Sequence, residues 1–278
     1  MMQTLCIAAV QLTSTGNWQD NLNEVKELVA SAVAEGARLV VLPENVFLFD
    51  GKRMRSFAES DEQDVLLNEI AELARQHSIY LVIGSHPSIL NATGDLVAGG
   101  RVRQTCWAVG PDGLFFERYD KIHLFDVDVN DKAMAYRESE VIEPGDLTPK
   151  VIDVDGFKVG LSICYDVRFP ELYRELSRRG ADLLLVPAAF TYMTGKKHWD
   201  ILLAARAIEN QCYVLGVNQC GWHNATRQTY GHSGLYSPTG ERLLGLQEVP
   251  GYFVFKMTKQ ALLDCRQKMP CLAHRRLS

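Results

Sequence analysis

The sequence predicts an α/β fold in which two mixed sheets pack together with helices on their outer faces. Three observations predict it. Apolar runs of strand length alternate with amphipathic helical stretches from end to end. Two turn signals, Pro111-Asp112-Gly113 and Asp155-Gly156, insert hairpins into that alternation, so a simple doubly wound sheet does not suffice. No repeat, low-complexity tract or linker interrupts the pattern, and residues 1–278 are read as one domain.

Residues 5–12 form a buried-strand candidate. Over 21–35, Leu22, Val25, Leu28, Val29, Ala32 and Val33 recur at helical spacing, and Gly36 stops that helix. Residues 38–42 make a short apolar strand ending in Pro43-Glu44, and a helix over 61–77 precedes a strand over 80–84. Runs 102–109 and 114–118 pair across the first turn signal, and 150–154 and 157–163 across the second. A helix over 170–179 leads through Gly180 to a strand over 183–186. A helix over 199–210 leads to a strand over 212–217. Strands near 234–237, 243–246 and 252–256 precede a last helix over 258–268.

With 47% hydrophobic and 23% charged residues among 278, the chain has an ordinary globular balance. Its net charge of -5 argues against a nucleic-acid partner, and Arg178-Arg179 and Lys196-Lys197 are too short to form a basic face. No apolar run approaches the roughly 18 residues that would span a bilayer, and no basic leader opens the sequence, so a cytoplasmic location is expected. The seven cysteines are dispersed and never in C-x-x-C spacing, and the histidines never in H-x-x-x-H spacing; reduced thiols and no metal are expected. G-x-G-x-x-G and G-x-x-x-x-G-K-[ST] are both absent, so no nucleotide cofactor is expected.

The segment from Gly160 to Leu172 carries the chemistry. An apolar strand ends at Ile163 and a helix begins near Pro170, which places Cys164 at a strand tip ahead of a helix N-terminus, whose dipole favours a thiolate. Cys6, Cys106 and Cys212 lie inside apolar runs and read as structural, whereas polar Tyr165, Asp166 and Arg168 follow Cys164 at once. A nucleophilic cysteine needs a base and an oxyanion-stabilising group. Glu44, directly after Pro43 at a strand tip, is partly desolvated and suited to be that base, though alone it reads equally well as a loop carboxylate. Lys121 also follows a strand, and alone it reads better as a solvated lysine. His123 is an alternative base in a Cys-His pair.

Together, Pro43-Glu44, Lys121-Ile122-His123-Leu124 and Ile163-Cys164-Tyr165-Asp166 resemble, in order and spacing, the nitrilase superfamily of carbon–nitrogen hydrolases. The resemblance runs from Ala8-Ala9-Val10-Gln11 to Arg275-Arg276 and implies a four-layer α-β-β-α sandwich. It also implies a homodimer or higher homo-oligomer. It places the family's Glu–Lys–Cys triad on Glu44, Lys121 and Cys164, with Glu138 of Arg137-Glu138-Ser139 as a further glutamate orienting Lys121 or a water. In the implied mechanism Cys164 attacks an amide carbonyl while Glu44 takes its proton. Lys121 and the backbone N–H of Tyr165 hold the oxyanion, and water hydrolyses the resulting thioester.

Arg168-Phe169-Pro170-Glu171, Pro187-Ala188-Ala189-Phe190-Thr191, Gln219-Cys220-Gly221-Trp222-His223 and Tyr230-Gly231-His232-Ser233 narrow the resemblance to the Nit-type branch. Within it the deaminated glutathione amidases match best. The implied substrate is an acidic small molecule, a 2-oxo acid amide, with no cofactor. Arg168 and Arg227 are the candidate contacts for its carboxylate, Arg168 standing equally as an ion-pair partner of Asp166; Phe190 and Thr191 line the pocket. Asp166 is expected to start the helix or lock the loop, and His198 and Trp199 to brace the site. The rival readings are an ω-amidase or another carbamoyl or amide hydrolase of the superfamily, a nitrilase-fold binding or regulatory protein, and a papain-like Cys-His hydrolase that lacks its expected motif.

Overall fold

The computed structural model describes residues 3–128 and 135–277. Its first half runs β1 (Thr4–Gln11), α1 (Trp18–Ala34), β2 (Leu39–Val41), α2 (Met54–Ala58), α3 (Asp61–His77), β3 (Tyr80–Ser88), β4 (Arg103–Val109), β5 (Phe115–Asp120), β6 (Asp126–Asp128) and β7 (Ala135–Arg137). The second runs β8 (Val151–Val154), β9 (Phe157–Gly160), α4 (Pro170–Arg178), β10 (Leu183–Ala188), α5 (Tyr192–Asn210), β11 (Tyr213–Asn218), β12 (Cys220–Trp222) and β13 (Gln228–Tyr230). It ends with β14 (Gly234–Tyr236), β15 (Arg242–Gly245), β16 (Gly251–Thr258) and α6 (Lys259–Lys268).

Strands order as β16-β1-β2-β3-β4-β5 in one sheet and β15-β14-β11-β10-β9-β8 in the other. β1, β2 and β3 are parallel, as are β9, β10 and β11, while hairpins add antiparallel strands at the flanks, so both sheets are mixed. The two-residue period of a strand explains the layering. Leu5, Ile7 and Ala9 enter the central core with Val159, Leu185 and Val217 of the second sheet. Their alternates Ala8, Val10 and Leu12 pack outward against Leu22, Val25 and Val29 of α1 and Leu66 and Ile70 of α3. On the far side Leu172 and Tyr173 of α4 and Trp199 and Leu203 of α5 cover the second sheet. The result is the four-layer α-β-β-α sandwich.

Local chemistry sets the ends. The Asn17 side chain accepts the Gln19 N–H to cap α1, which gives out before left-handed Gly36 at φ 92°. Pro170 opens α4. Two boundaries differ from the sequence expectation. α5 begins at Tyr192, seven residues before the expected start, because Gly195 lies inside the helix instead of breaking it. A Cβ there would stand 2.4 Å from that of Tyr230, so the glycine permits close packing on β13. β3 runs on to Ser88 through a register shift between Ile83 and His86 that Gly84 accommodates. The short α2 and the ribbons β6–β7 and β12–β13 were not expected; each is too short to show a period.

No helix among the described residues is long and apolar enough to cross a membrane.

Candidate active site

Strand ends carry the reactive side chains. Glu44 follows β2, where β3 crosses so closely that a Cβ on Gly84 would lie 2.2 Å from the Leu42 carbonyl oxygen. The next residue, Asn45, is left-handed at φ 57°, and its N–H donates to Ser85 Oγ at 2.8 Å. Lys121 follows β5; its N–H donates to the Gln104 carbonyl and its carbonyl accepts the Gly145 N–H. Cys164 opens a 3-10 turn over Cys164–Arg168 and is itself left-handed at φ 46°, a strained conformation for a residue with a Cβ.

Asp166 holds that strain. Its Oδ2 accepts the Tyr119 hydroxyl at 2.6 Å and the Ile163 N–H at 2.9 Å. Its Oδ1 accepts the His123 N–H at 3.1 Å and lies 2.7 Å from His123 Nδ1. The His123 ring stacks on Phe169 at 3.7 Å. His123 therefore ties the Lys121 segment to the Cys164 turn, which is a positioning role and not that of a base for the thiol.

Glu44, Lys121, Glu138 and Cys164 converge. Lys121 is fully buried, and its Nζ donates to Glu44 Oε1 at 2.8 Å and to Glu138 Oε2 and Oε1 at 2.8 and 3.0 Å. Glu44 Oε2 accepts the Ala189 N–H at 2.8 Å, and Glu138 Oε2 also accepts the Phe125 N–H at 2.8 Å. Burial works against the Lys121 charge, but Glu138 and Glu44 outweigh it and hold the ammonium well above its usual pKa. For Cys164 burial comes first and Glu44 adds to it, so the thiol is pushed well above its usual pKa despite Lys121. The dipole-stabilised thiolate expected from sequence is corrected: the resting thiol is protonated. Two carboxylates around one ammonium leave net negative charge, which opposes a thiolate. A proton passed from Cys164 to Glu44 keeps the net charge of the cluster unchanged.

Cys164 faces a pocket of about 330 Å³. The candidates Tyr165, Phe190, Thr191 and Arg227 line it, and so do Asn45, Phe125 and Thr194, which sequence reasoning missed. Asn45 and Phe125 are neighbours of recognised motif residues. Thr194 sits on the unforeseen first turn of α5, where its hydroxyl bonds that of Thr191. Arg227 donates Nη2 to the Ala189 carbonyl at 2.8 Å and lies 4.5 Å over the Tyr136 ring. Its Nη1 is buried without a hydrogen-bond partner among the described residues.

Arg168 is not among the residues that line this pocket. Its guanidinium lies 5.0 Å over the Phe190 ring and 5.8 Å over Tyr165 and meets His198 Nδ1 at 3.3 Å. Asp166 is no ion-pair partner for it, being committed to Tyr119, Ile163 and His123. Trp199 is buried and donates Nε1–H to the His232 carbonyl at 2.9 Å, bracing the wall from behind. Among the described residues no group of three or more His, Cys, Asp or Glu side chains could hold a metal ion.

Residues 6–260 match the family model described as carbon-nitrogen hydrolase. The chain belongs to the carbon–nitrogen hydrolase family. It is 42% identical over 276 residues, 99% of each chain, to the deaminated glutathione amidase of Synechocystis. It is 35% identical to mouse omega-amidase NIT2, over 99% of this chain and 96% of that one. Among solved structures, Nit3 of Saccharomyces cerevisiae, a nitrilase superfamily member, superposes with a TM-score of 0.86 at 29% identity, covering 99% of this chain and 97% of that one. An amidase mutant from Nesterenkonia, with acrylamide added at its active-site cysteine, superposes at 0.78 with 28% identity, covering 96% and 98%. The relatives described as amidases and the family description place the protein among carbon–nitrogen hydrolases, and its Glu44, Lys121, Glu138 and Cys164 side chains meet at one pocket.

Proposed function

We propose that the protein hydrolyses 2-oxo acid amides by a Glu44–Lys121–Cys164 triad, and that its substrate is deaminated glutathione, cleaved to 2-oxoglutarate and cysteinylglycine. The observation that carries the substrate reading is Arg227. Lys121 is matched by two carboxylates, whereas Arg227 brings to the same pocket a guanidinium with one buried donor that has no partner among the described residues. A buried donor left unpaired costs about 1–3 kcal/mol, which a substrate carboxylate removes.

The steps follow the geometry. Glu44 takes the Cys164 proton as Sγ bonds to the amide carbon. The negative charge that forms on the carbonyl oxygen is held by the Tyr165 N–H and by the Lys121 donor in the longer 3.0 Å contact, which turns from Glu138 Oε1. Protonated Glu44 then delivers its proton to the departing amine nitrogen as the C–N bond breaks. Water, deprotonated by Glu44, attacks the thioester; 2-oxoglutarate leaves and Cys164 recovers its proton. Glu138 keeps Lys121 aimed throughout.

Relatives described as deaminated glutathione amidases, 36% to 42% identical against 35% for the mouse ω-amidase, support the dipeptide amide over 2-oxoglutaramate. The test is release of 2-oxoglutarate from both substrates side by side. Faster turnover of deaminated glutathione is expected; faster turnover of 2-oxoglutaramate makes the protein an ω-amidase. Cys164→Ala should abolish turnover with the fold intact, and Lys121→Ala should cost on the order of 100-fold or more. Near-normal activity in Cys164→Ala would refute the mechanism.

A further inference from the structure

The catalytic pocket, about 330 Å³, has a far larger cleft beside it. This outer cleft, about 1810 Å³ and open to solvent, shares the wall residues Asn45, Glu138 and Arg227 with the pocket. Aromatic faces of Phe49, Tyr136 and His223 line it, Phe49 and His223 stacked at 3.7 Å. Of its other cations, Arg137 is paired with Asp128 at 2.7 Å, whereas the Lys52 ammonium meets no carboxylate among the described residues. The Asp50 carboxylate nearby accepts the Lys52 backbone N–H instead.

We propose that the outer cleft is the leaving-amine subsite: the amide lies across both cavities, acyl half inside, and the cleft selects amines bearing a carboxylate, which Lys52 contacts. This assignment rests on the 2-oxo acid amidase reading. It gives the enzyme a physical basis for preferring a peptide-like leaving group over ammonia, because the acyl contacts are the same for both and only the cleft distinguishes them.

Gly51 offers a clean obstruction. It lines the cleft, has no positive φ, and a Cβ there meets nothing within 4 Å, so Gly51→Trp adds bulk without backbone strain. The readout is the ratio of kcat/KM on deaminated glutathione to that on 2-oxoglutaramate, whose acyl halves are identical. Gly51→Trp should lower this ratio at least tenfold. Lys52→Glu, the second variant, should lower it about fivefold, and raised salt should erode the wild-type preference, as for an exposed ion pair. Loss by the same factor on both substrates in both variants overturns the cleft assignment and leaves the amidase reading standing. Turnover of neither substrate by the wild type overturns both.

Discussion

Asp166 shows how one buried side chain decides whether the nucleophile is held. All four of its contacts can donate to the carboxylate, from Tyr119, Ile163 and twice from His123, and the residue is fully buried. Asp166→Asn replaces one accepting oxygen with a donating NH2 that faces N–H or O–H groups. The substitution should destabilise the fold by about 2–4 kcal/mol. It should also lower kcat about tenfold or more, because the left-handed backbone of Cys164 loses the clamp that keeps it there. Urea unfolding and steady-state rates on one preparation check this; stability within 0.5 kcal/mol of wild type and an unchanged rate would sink it. The sequence marked Asp166 as a loop lock because it stands two residues past a strand-tip cysteine. It could not mark His123 as the partner, since 43 residues separate them and the pairing exists only once both sheets are assembled. The same limit applies to Arg168: an arginine two positions from an aspartate invites an ion pair, and only the folded chain shows its charge over the rings of Tyr165 and Phe190 instead.

At the scale of elements, hydrophobic period gave the strands and helices that bury a face, and it failed where a glycine serves packing. The sequence pattern starts α5 only at 199, yet the helix takes in Gly195, where Tyr230 leaves no room for a Cβ. Gly84 reads as a strand end, yet β3 passes through it against Leu42 and Pro43 and so sets the position of Glu44. Both are long-range contacts that a local pattern does not contain. The consequence for Gly84→Ala is specific. The atoms within 2.4 Å of the new Cβ are the Leu42 carbonyl oxygen and the Pro43 carbonyl carbon and oxygen, main chain that cannot rotate away. β2 must therefore shift, at about 1–3 kcal/mol, carrying Glu44 away from Lys121. The variant should lose rate well beyond its loss of stability; a melting temperature and rate both equal to wild type would show that β3 can yield without moving the base.

For the whole molecule the alternating strands, the two hairpin signals and the outer helices were legible in sequence, and with them the four layers. Buried polar groups were not, because a lone histidine carries no sign of its surroundings. Two of them set the acid limb of stability. His86 is buried between Phe47 and Phe57, and burial pulls its pKa down to about 3. His223 donates Nδ1–H to the Ser14 carbonyl and accepts the Thr229 hydroxyl at Nε2, each at 2.7 Å. Burial is the main cause of its pKa falling to about 4, with Arg227 adding to it. Both groups have depressed folded values against about 6.5 unfolded, so between pH 6.5 and about 4 the unfolded chain binds protons that the folded chain refuses. Stability is complete above pH 6.5 and falls as the pH falls, by about 1.4 kcal/mol per unit for each histidine, or about 4 kcal/mol for the pair at pH 5. At the alkaline end the sign reverses in origin. Cys164, and Cys212 with its pKa raised to about 11, hold protons that the unfolded chain releases near pH 9, so stability also declines there. Urea midpoints should therefore peak between about pH 7 and 8. His223→Gln, which keeps a donor for Ser14 and an acceptor for Thr229, should remove about half of the slope between pH 6.5 and 5 whatever it does to absolute stability. A slope unchanged in that variant would assign the protons to other groups and leave His223 without its place in the acid transition.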